Sequence, residues 1–240
     1  MLSSKLTINC DLGEGVPRED LLFPWIDLAS VACGGHFGDR DTVTETLLLA
    51  KKFGKKAGAH PSYPDRENFG RKSMAISNSS LIASIRSQIH LFMEVAGEVN
   101  IHPDHIKFHG ALYNDAAEKQ ELAVVLIDFL SSEFPRIPLF VPPYSETEKY
   151  ALHKGLPVIR EIFGDRAYDE HYKLISRALE NSLLTTSGQV FSQLDSIILH
   201  HHLPTYSGSV IRVEADTLCF HGDNPGIHDF LPLVRRRFWK

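Results

Sequence analysis

The sequence predicts an α/β fold, specifically an incomplete, seven-stranded (β/α) barrel. Short apolar stretches alternate with segments of helical periodicity along the whole chain, which indicates parallel strands joined by helical crossovers. The length of 240 residues suits an α/β barrel that folds as one domain. Polar, titratable residues also gather where the apolar stretches end. An open doubly wound sheet is compatible with the same alternation and remains the alternative.

The first half of the chain supplies four predicted strands and two long helices. The strands cover residues 6–11, 29–34, 55–60 and 105–110. The first helix, residues 41–54, follows an Asp/Thr start signal and places Val43, Leu47 and Ala50 on one face. The second helix, residues 79–97, is long and amphipathic.

The second half continues the alternation. Strands are predicted at residues 138–143, 157–165 and 216–223. Helices are predicted at residues 116–134, 145–155, 187–203 and 227–240, the last interrupted near Pro232. Because neither a linker nor a low-complexity segment divides the sequence, residues 1–240 are expected to form a single domain.

Composition excludes several classes of function. Hydrophobic residues make up 43% of the chain and charged residues 23%, which is typical of a globular protein with a sizeable core. The net charge of −5 is spread along the sequence, so no nucleic-acid surface is expected. No apolar run approaches the ~20 residues of a membrane span, and the N-terminus lacks a signal-peptide core. We therefore expect a cytoplasmic protein without membrane contact, whose three separated cysteines are reduced.

Titratable side chains follow the predicted strands directly. They are Asp11, His36, His60, His109, Asp165 and His221. The carboxyl ends of parallel strands converge on one face, where such folds keep their active sites. The segment GAHPSYPD, residues 58–65, would form one wall of this pocket.

Strand alternation adds deeper partners to these side chains. Residues two apart share a face, so Asn9 pairs with Asp11, Lys107 with His109, and Glu161 with Asp165 through the residue between them. A buried Lys107 or Glu161 would need opposite charges nearby to remain ionised. Such a pocket has the groups required for general acid and base catalysis near neutral pH.

A divalent metal is an alternative use of the same residues. Asp11, His60 and His109 are the candidate ligands, and a bound metal would activate water. No local ligand motif decides between the two uses. The tract at residues 200–202 is instead interpreted as solvated histidines at a helix end. The glycine-rich turns at residues 13–15 and 33–39 do not match a phosphate-binding loop of the Walker type.

Six ordered motifs resemble those of the LamB/YcsF family, whose members are also called the A subunit of 5-oxoprolinase. They are NCDLGEG (9–15), ACGGHFGD (32–39), GAHPSYPDRENFGR (58–71), KFHGALYN (107–114), FGDRAY (163–168) and CFHGD (219–223). The resemblance spans nearly the whole chain. It implies an incomplete barrel related to the metal-dependent polysaccharide deacetylases.

The resemblance also implies a reaction, partners and site residues. The reaction would be the ATP-dependent opening of 5-oxo-L-proline to L-glutamate, carried out with partner subunits B and C. We assign Asp11 or His60 as the base, His109 as the acid and Lys107 as the electrostatic partner of carboxylate or phosphate. The matched motifs add candidate residues for binding substrate or nucleotide: Asn9, Glu14, His36, Asp39, Asp65, Arg71, Tyr113, Asn114, Asp165, Arg166, His221 and Asp223.

The sequence departs from the family pattern in two regions. Where the family has C-G-F-H-A-G-D-P, residues 33–40 read CGGHFGDR, so Phe37 follows the histidine instead of preceding it. Residues 168–182 lack the usual proline and glycines. The departures leave substrate choice and partner contacts open. A metal-dependent amidase or deacetylase without ATP, and a non-catalytic small-ligand-binding subunit, are therefore kept as alternatives, and a homo-oligomer is compatible with either.

Overall fold

The computed structural model describes residues 6–239, so residues 1–5 and 240 of the predicted domain lie outside the described residues. The strands in the described range are β1 (Thr7–Leu12), β2 (Leu28–Ala32), β3 (Lys56–His60), β4 (Pro103–Ile106), β5 (Leu139–Val141), β6 (Val158–Phe163), β7 (His202–Pro204), β8 (Val210–Arg212) and β9 (Thr217–His221). Seven of them close a barrel in the order β1-β2-β3-β4-β5-β6-β9, and every barrel pair is parallel. The predicted seven-stranded barrel is thus confirmed, and the open doubly wound sheet is wrong.

Helices pack around the barrel. They are α1 (Arg40–Lys52), α2 (Asn78–Glu98), α3 (Gly110–Glu118), α4 (Gln120–Glu133), α5 (Glu146–Lys154), α6 (Ser187–His200) and α7 (Ile227–Phe238). Two short 3-10 helices, Glu19–Leu21 and Phe23–Trp25, lie between β1 and β2. None of the helices within residues 6–239 combines the length and apolar character that crossing a membrane would require.

Local sequence explains where the helices begin and end. Asp39 caps α1 by accepting a hydrogen bond from the backbone of Thr42, while the Thr42 hydroxyl accepts one from the Asp39 backbone. Thr186 and Gln189 form the same arrangement at α6. Helix α5 stops at Gly155, whose φ of 71° is accessible to glycine at little cost.

Three element boundaries differ from the sequence prediction. The predicted helix 116–134 is two helices, because Lys119 adopts an extended conformation between α3 and α4. The predicted strand 105–110 ends at Ile106, and α3 already begins at Gly110. The predicted interruption near Pro232 is wrong: α7 continues through it, and its apolar residues on both sides of the proline are buried.

The sequence analysis did not anticipate the chain between β6 and β9 in detail. Residues 164–186 form a long irregular segment, called here the covering loop, whose residues 174–178 reach over the carboxyl end of the barrel. Isolated bridges from Tyr168 to Leu174 and Thr205 hold it. The antiparallel hairpin of β7 and β8 follows α6, and the tract at residues 200–202 is exposed at this junction, as predicted.

The two faces of the barrel wall differ in polarity. Apolar side chains such as Ile8, Cys10 and Leu12 on β1 are buried in the hydrophobic core. The alternate side chains Asn9 and Asp11 belong to a buried polar network. Polar members of the other barrel strands and of the segment after β4 join them: Ser30, Lys107, Glu161, Thr217 and Cys219. The interior of this barrel is therefore largely polar.

Candidate active site at the carboxyl end of the barrel

A cavity of about 350 Å³ opens at the carboxyl ends of the strands. It lies beneath residues 174–178 of the covering loop. Sequence-predicted residues in its wall are Asp11, Glu14, His60, Arg71, Lys107, His109, Tyr113, Asn114, Arg166, His221 and Asp223. The converging strand ends thus bring together the titratable residues that the sequence placed there.

Lys107 lies at the floor of the cavity among buried acids. Its Nζ is 2.7 Å from Asp11 Oδ1, 2.9 Å from Glu161 Oε1 and 3.1 Å from Cys219 Sγ. The contact with Glu161 is ionic and does not have hydrogen-bond geometry. Burial opposes the charge on Lys107, but Asp11, Cys219 and Glu161 raise its pKa well above the usual range. This agrees with the expectation that a buried Lys107 requires opposite charges.

Asp11 is held as a carboxylate by its neighbours. Burial alone would raise its pKa, but His60 and Lys107 lower that pKa well below its usual range. Lys107 occupies Oδ1, and Oδ2 lies 3.5 Å from His60 Nε2. Asp11 is therefore a charged group with one oxygen that no lysine occupies, at the wall of the cavity.

A cluster of one glutamate and three histidines lies beside Asp11. Glu14 Oε1 is 3.0 Å from His36 Nε2, 3.2 Å from His109 Nδ1 and 3.8 Å from His60 Nε2. Burial raises the pKa of Glu14, but hydrogen bonds from His109 and His36 bring it well below its usual range. Burial lowers the pKa of His36 to about 4 and also lowers that of His109. This group, called here the Glu14 cluster, contains the side chains that could hold a metal ion.

The metal prediction from sequence is corrected in one ligand. His60 and His109 belong to the Glu14 cluster as expected, but Asp11 does not, because Lys107 engages its Oδ1. Glu14 reaches the histidines from the loop after β1. The Glu19 carboxylate holds this loop by accepting hydrogen bonds from the backbone of Gly13 and Glu14. Glu14 was expected to bind substrate or nucleotide, and no spacing signal marked it as a ligand.

An aspartate and histidine pair forms another part of the wall. His221 Nδ1 donates to Asp165 Oδ1 at 2.9 Å, and the His221 backbone N–H donates to Asp165 Oδ2 at 3.0 Å. Asn224 also donates to Asp165, which is completely buried. Burial opposes the charge of Asp165, but His221 brings its pKa below the usual value. The His221 ring stacks on Phe163 with centroids 4.8 Å apart.

Arginines supply positive charge at the rim. Arg71 Nη2 and Arg177 Nη1 lie 2.6 Å and 2.7 Å from Asp223 Oδ2. Arg166 lies deeper and donates to the backbone oxygens of the covering loop at Ile175 and Ser182. Guanidinium groups suit carboxylates and phosphates because of their planar pairs of donors. The cavity is therefore arranged to receive an anionic molecule.

Some predicted binding residues do not line the cavity. Asp39 caps α1 and is exposed, and Asp65 accepts hydrogen bonds from Asn68 in its own loop. Asn9 lies below the floor, where it accepts a hydrogen bond from Lys107. Two others support wall residues and are His36, behind Glu14, and Asp165, behind His221.

Sequence reasoning missed Arg177 as a site residue. It belongs to the covering loop, in the region that departs from the family pattern, and it contacts Asp223 from across the cavity. A lone arginine in an irregular segment carries no positional signal, so only the fold of the loop reveals it.

Comparisons with known proteins agree with these motifs. The sequence profile described as the LamB/YcsF family matches residues 6–240. The A subunit of 5-oxoprolinase from Vibrio vulnificus (strain YJ016) is 32% identical over 244 residues, which cover 98% of this chain and 97% of that protein. The protein of the same name from Vibrio cholerae serotype O1 (strain M66-2) is 32% identical over 243 residues, covering 98% of each.

A solved structure shares the fold at similar sequence identity. The lactam utilization protein from Thermus thermophilus superposes with a TM-score of 0.88 at 30% identity, and the match covers 97% of this chain and 96% of that one. Profile, sequence and structure lead to one conclusion. The chain belongs to the LamB/YcsF family.

Proposed function

We propose that the chain is one component of a cytoplasmic, ATP-dependent 5-oxoprolinase that hydrolyses 5-oxo-L-proline to L-glutamate with subunits B and C. The names of its relatives support this role. The observation that carries it is the pairing of the Asp11 carboxylate with buried Lys107, in a cavity whose rim holds Arg71 and Arg177. Those two arginines suit the substrate carboxylate or a phosphate group.

The proposed reaction has two stages. Transfer of the ATP γ-phosphoryl group to the lactam carbonyl oxygen releases ADP and gives an activated carbon. Water then adds to this carbon, the ring C–N bond breaks, the nitrogen takes a proton, and inorganic phosphate leaves when a further water completes hydrolysis. One lactam, one ATP and two waters thus give glutamate, ADP and phosphate. The chain must supply a base, an acid and positive charge.

The site geometry favours particular residues for these roles. Asp11 suits the base, because Lys107 orients one oxygen and leaves the other for water. His221 suits the acid, because Asp165 accepts from its Nδ1 and stabilises the protonated ring. His109, which we first assigned as the acid, is hydrogen-bonded at both ring nitrogens, as is His60. Lys107 stabilises the negative charge that develops at the carbonyl.

The test measures glutamate released from 5-oxo-L-proline by the chain together with subunits B and C, with and without ATP. We expect ATP-dependent release that falls about 10²- to 10⁴-fold in Asp11→Asn and in His221→Gln, the range typical of lost acid–base catalysis. Asp20→Asn, at a residue outside the cavity wall, is the matched control. Near-normal rates in both site variants would remove these assignments.

The Glu14 cluster favours one alternative activity. A chain that releases product from an amide without ATP, and that stops when a chelator is added, would be a metal-dependent amidase or deacetylase. Ligand-induced thermal stabilisation without turnover in any mixture of subunits would instead support a non-catalytic ligand-binding role.

A further inference from the structure

We infer that Glu14, His60 and His109 form a three-ligand site for a divalent transition metal such as Zn²⁺, with a fourth position open to the cavity. The inference concerns binding alone and stands apart from the proposed lactam reaction. It rests on the protonation of the rings, the spacing of the ligand atoms, the ring planes and the balance of buried charge.

Backbone carbonyls fix the protons of two rings. His60 Nδ1 lies 2.9 Å from the Lys107 carbonyl oxygen, and His109 Nε2 lies 3.0 Å from that of Phe69. A carbonyl oxygen only accepts, so both of these nitrogens carry protons. In the neutral rings, His60 Nε2 and His109 Nδ1 are therefore bare, and they face each other at 3.0 Å. Two lone pairs at this distance repel unless a cation lies between them, and a carbonyl behind each ring is the usual support of a metal-binding histidine.

The ligand atoms have the spacing of a tetrahedral site. The three distances among Glu14 Oε1, His60 Nε2 and His109 Nδ1 are 3.0, 3.2 and 3.8 Å. Metal bonds of about 2.0–2.1 Å at tetrahedral angles separate neighbouring ligand atoms by about 3.3–3.4 Å. The atoms therefore require only small shifts to surround one ion.

The ring planes exclude His36 as a ligand alongside His109. These two rings are stacked with centroids 3.6 Å apart and planes 4° from parallel. A metal lies near the plane of each imidazole that binds it, and one ion cannot lie in two parallel planes this far apart. The His60 and His109 planes are instead 88° apart, so they intersect. His36 acts as a positioning residue, because its Nε2 donates to Glu14 Oε1.

Buried charge also calls for a cation. Asp11, Glu14 and Glu161 are buried acids, whereas Lys107 is the buried base among them. Excess negative charge away from water is costly, and a divalent ion would offset it. Glu14, His60 and His109 all line the cavity, whereas His36 does not. The open coordination position therefore lies on the substrate side.

The experiment titrates the chelator-treated full chain with Zn²⁺ by calorimetry and with Co²⁺ by visible absorption. We expect one equivalent to bind, with the intense absorption of tetrahedral Co²⁺. Glu14→Gln and His109→Ala should each weaken binding at least about 100-fold, and His36→Gln only about 10- to 100-fold, as expected for a residue that supports a ligand.

Two controls guard against misreading. The double variant His200→Gln, His202→Gln removes exposed histidines at the junction of α6 and β7 and should leave the one-equivalent binding intact. Glu14→Gln keeps the side-chain volume and serves as the test if His109→Ala does not fold. Absence of stoichiometric binding would mean that the facing nitrogens share a proton, and would overturn the inference. Binding that survives Glu14→Gln, or that His36→Gln removes completely, would overturn the ligand set.

Discussion

At the scale of single residues, the barrel interior is organised by charge rather than by apolar packing. Lys107 is 1% exposed and contacts two carboxylates. Removing one partner of a buried ion pair costs about 3–5 kcal/mol, because the remaining charge stays buried. The same ammonium therefore stabilises the fold and fixes the charge of Asp11.

His105 lies below the floor in the same interior. Its Nε2 is 3.0 Å from Ser30 Oγ, and its ring stacks on Phe140 at 4.0 Å. A Cβ at residue 58 would come within 2.5 Å of this ring, so the ring requires Gly58 on the neighbouring strand β3. Burial lowers the pKa of His105 although Asp104 opposes the change.

This pKa predicts how stability depends on pH. Below the unfolded pKa of about 6.5, the unfolded chain binds a proton at His105 that the folded chain does not. The contribution of His105 to the free energy of unfolding is therefore full above pH ~6.5 and lost as the pH falls below it, by up to about 1.4 kcal/mol per pH unit. In His105→Gln this slope should flatten by up to that amount.

Urea unfolding between pH values of about 5 and 8 measures the slope on both sides of the unfolded pKa. His153→Gln, at an exposed histidine, is the control and should keep the slope of the unsubstituted chain. Equal slopes for all three proteins would contradict the account of His105.

At the scale of elements, the covering loop is held over the cavity by one aspartate. Asp223, just after β9, contacts Arg177 of the loop and Arg71 of the segment after β3. Arg71 also lies 4.8 Å over the ring of Phe69. Asp223 therefore ties three segments together across the mouth of the site.

Asp223→Asn should loosen this tie. Loss of about 1 kcal/mol of ionic stabilisation would increase transient opening of the covering loop about fivefold. Limited trypsin digestion measures it as faster cleavage after Lys173 or Arg177. The control is Asp195→Asn, which loses an ion pair to Arg237 on a helix away from the cavity. Cleavage at the same rate in both variants would show that Asp223 does not hold the loop.

Sequence predicted the regular elements better than the connections. Alternation and caps located the barrel strands and most helices, because these patterns are local. It joined α3 to α4 because the extended backbone at Lys119 has no sequence signal. Asp39 shows the limit for the site, since its motif suggested binding, whereas its position before α1 makes it a cap. Glu14 and Arg177 enter the site through loops whose paths depend on contacts outside their own segments.

At the scale of the whole molecule, the ends of the described chain are joined beside the barrel. Trp239 Nε1 donates to the Leu6 carbonyl oxygen at 2.6 Å, and Arg235 Nη1 lies 2.8 Å from Asp27 Oδ2. Arg236 lies 5.3 Å over the ring of Trp25. Both tryptophans therefore report on the region where α7 meets the first strands.

The prediction of a single domain can be tested through these tryptophans. If the chain unfolds as one cooperative unit, tryptophan fluorescence and far-ultraviolet circular dichroism should give the same urea midpoint. Trp25→Phe, read through Trp239 alone, is the control that the signal belongs to the whole chain. A fluorescence transition that precedes the loss of helix would contradict the prediction.

The polar barrel interior has a consequence for how the protein can evolve. Asp11 and Lys107 are at once the floor of the cavity and the centre of the fold, so a change there that alters chemistry also lowers stability. Substrate range can diversify more freely in the loops at the rim. The two departures from the family pattern fit this division: Phe37 packs over Gly15 in the loop after β1, and the other lies in the covering loop. Adaptation to new substrates should accumulate at the mouth of this barrel while its floor stays fixed.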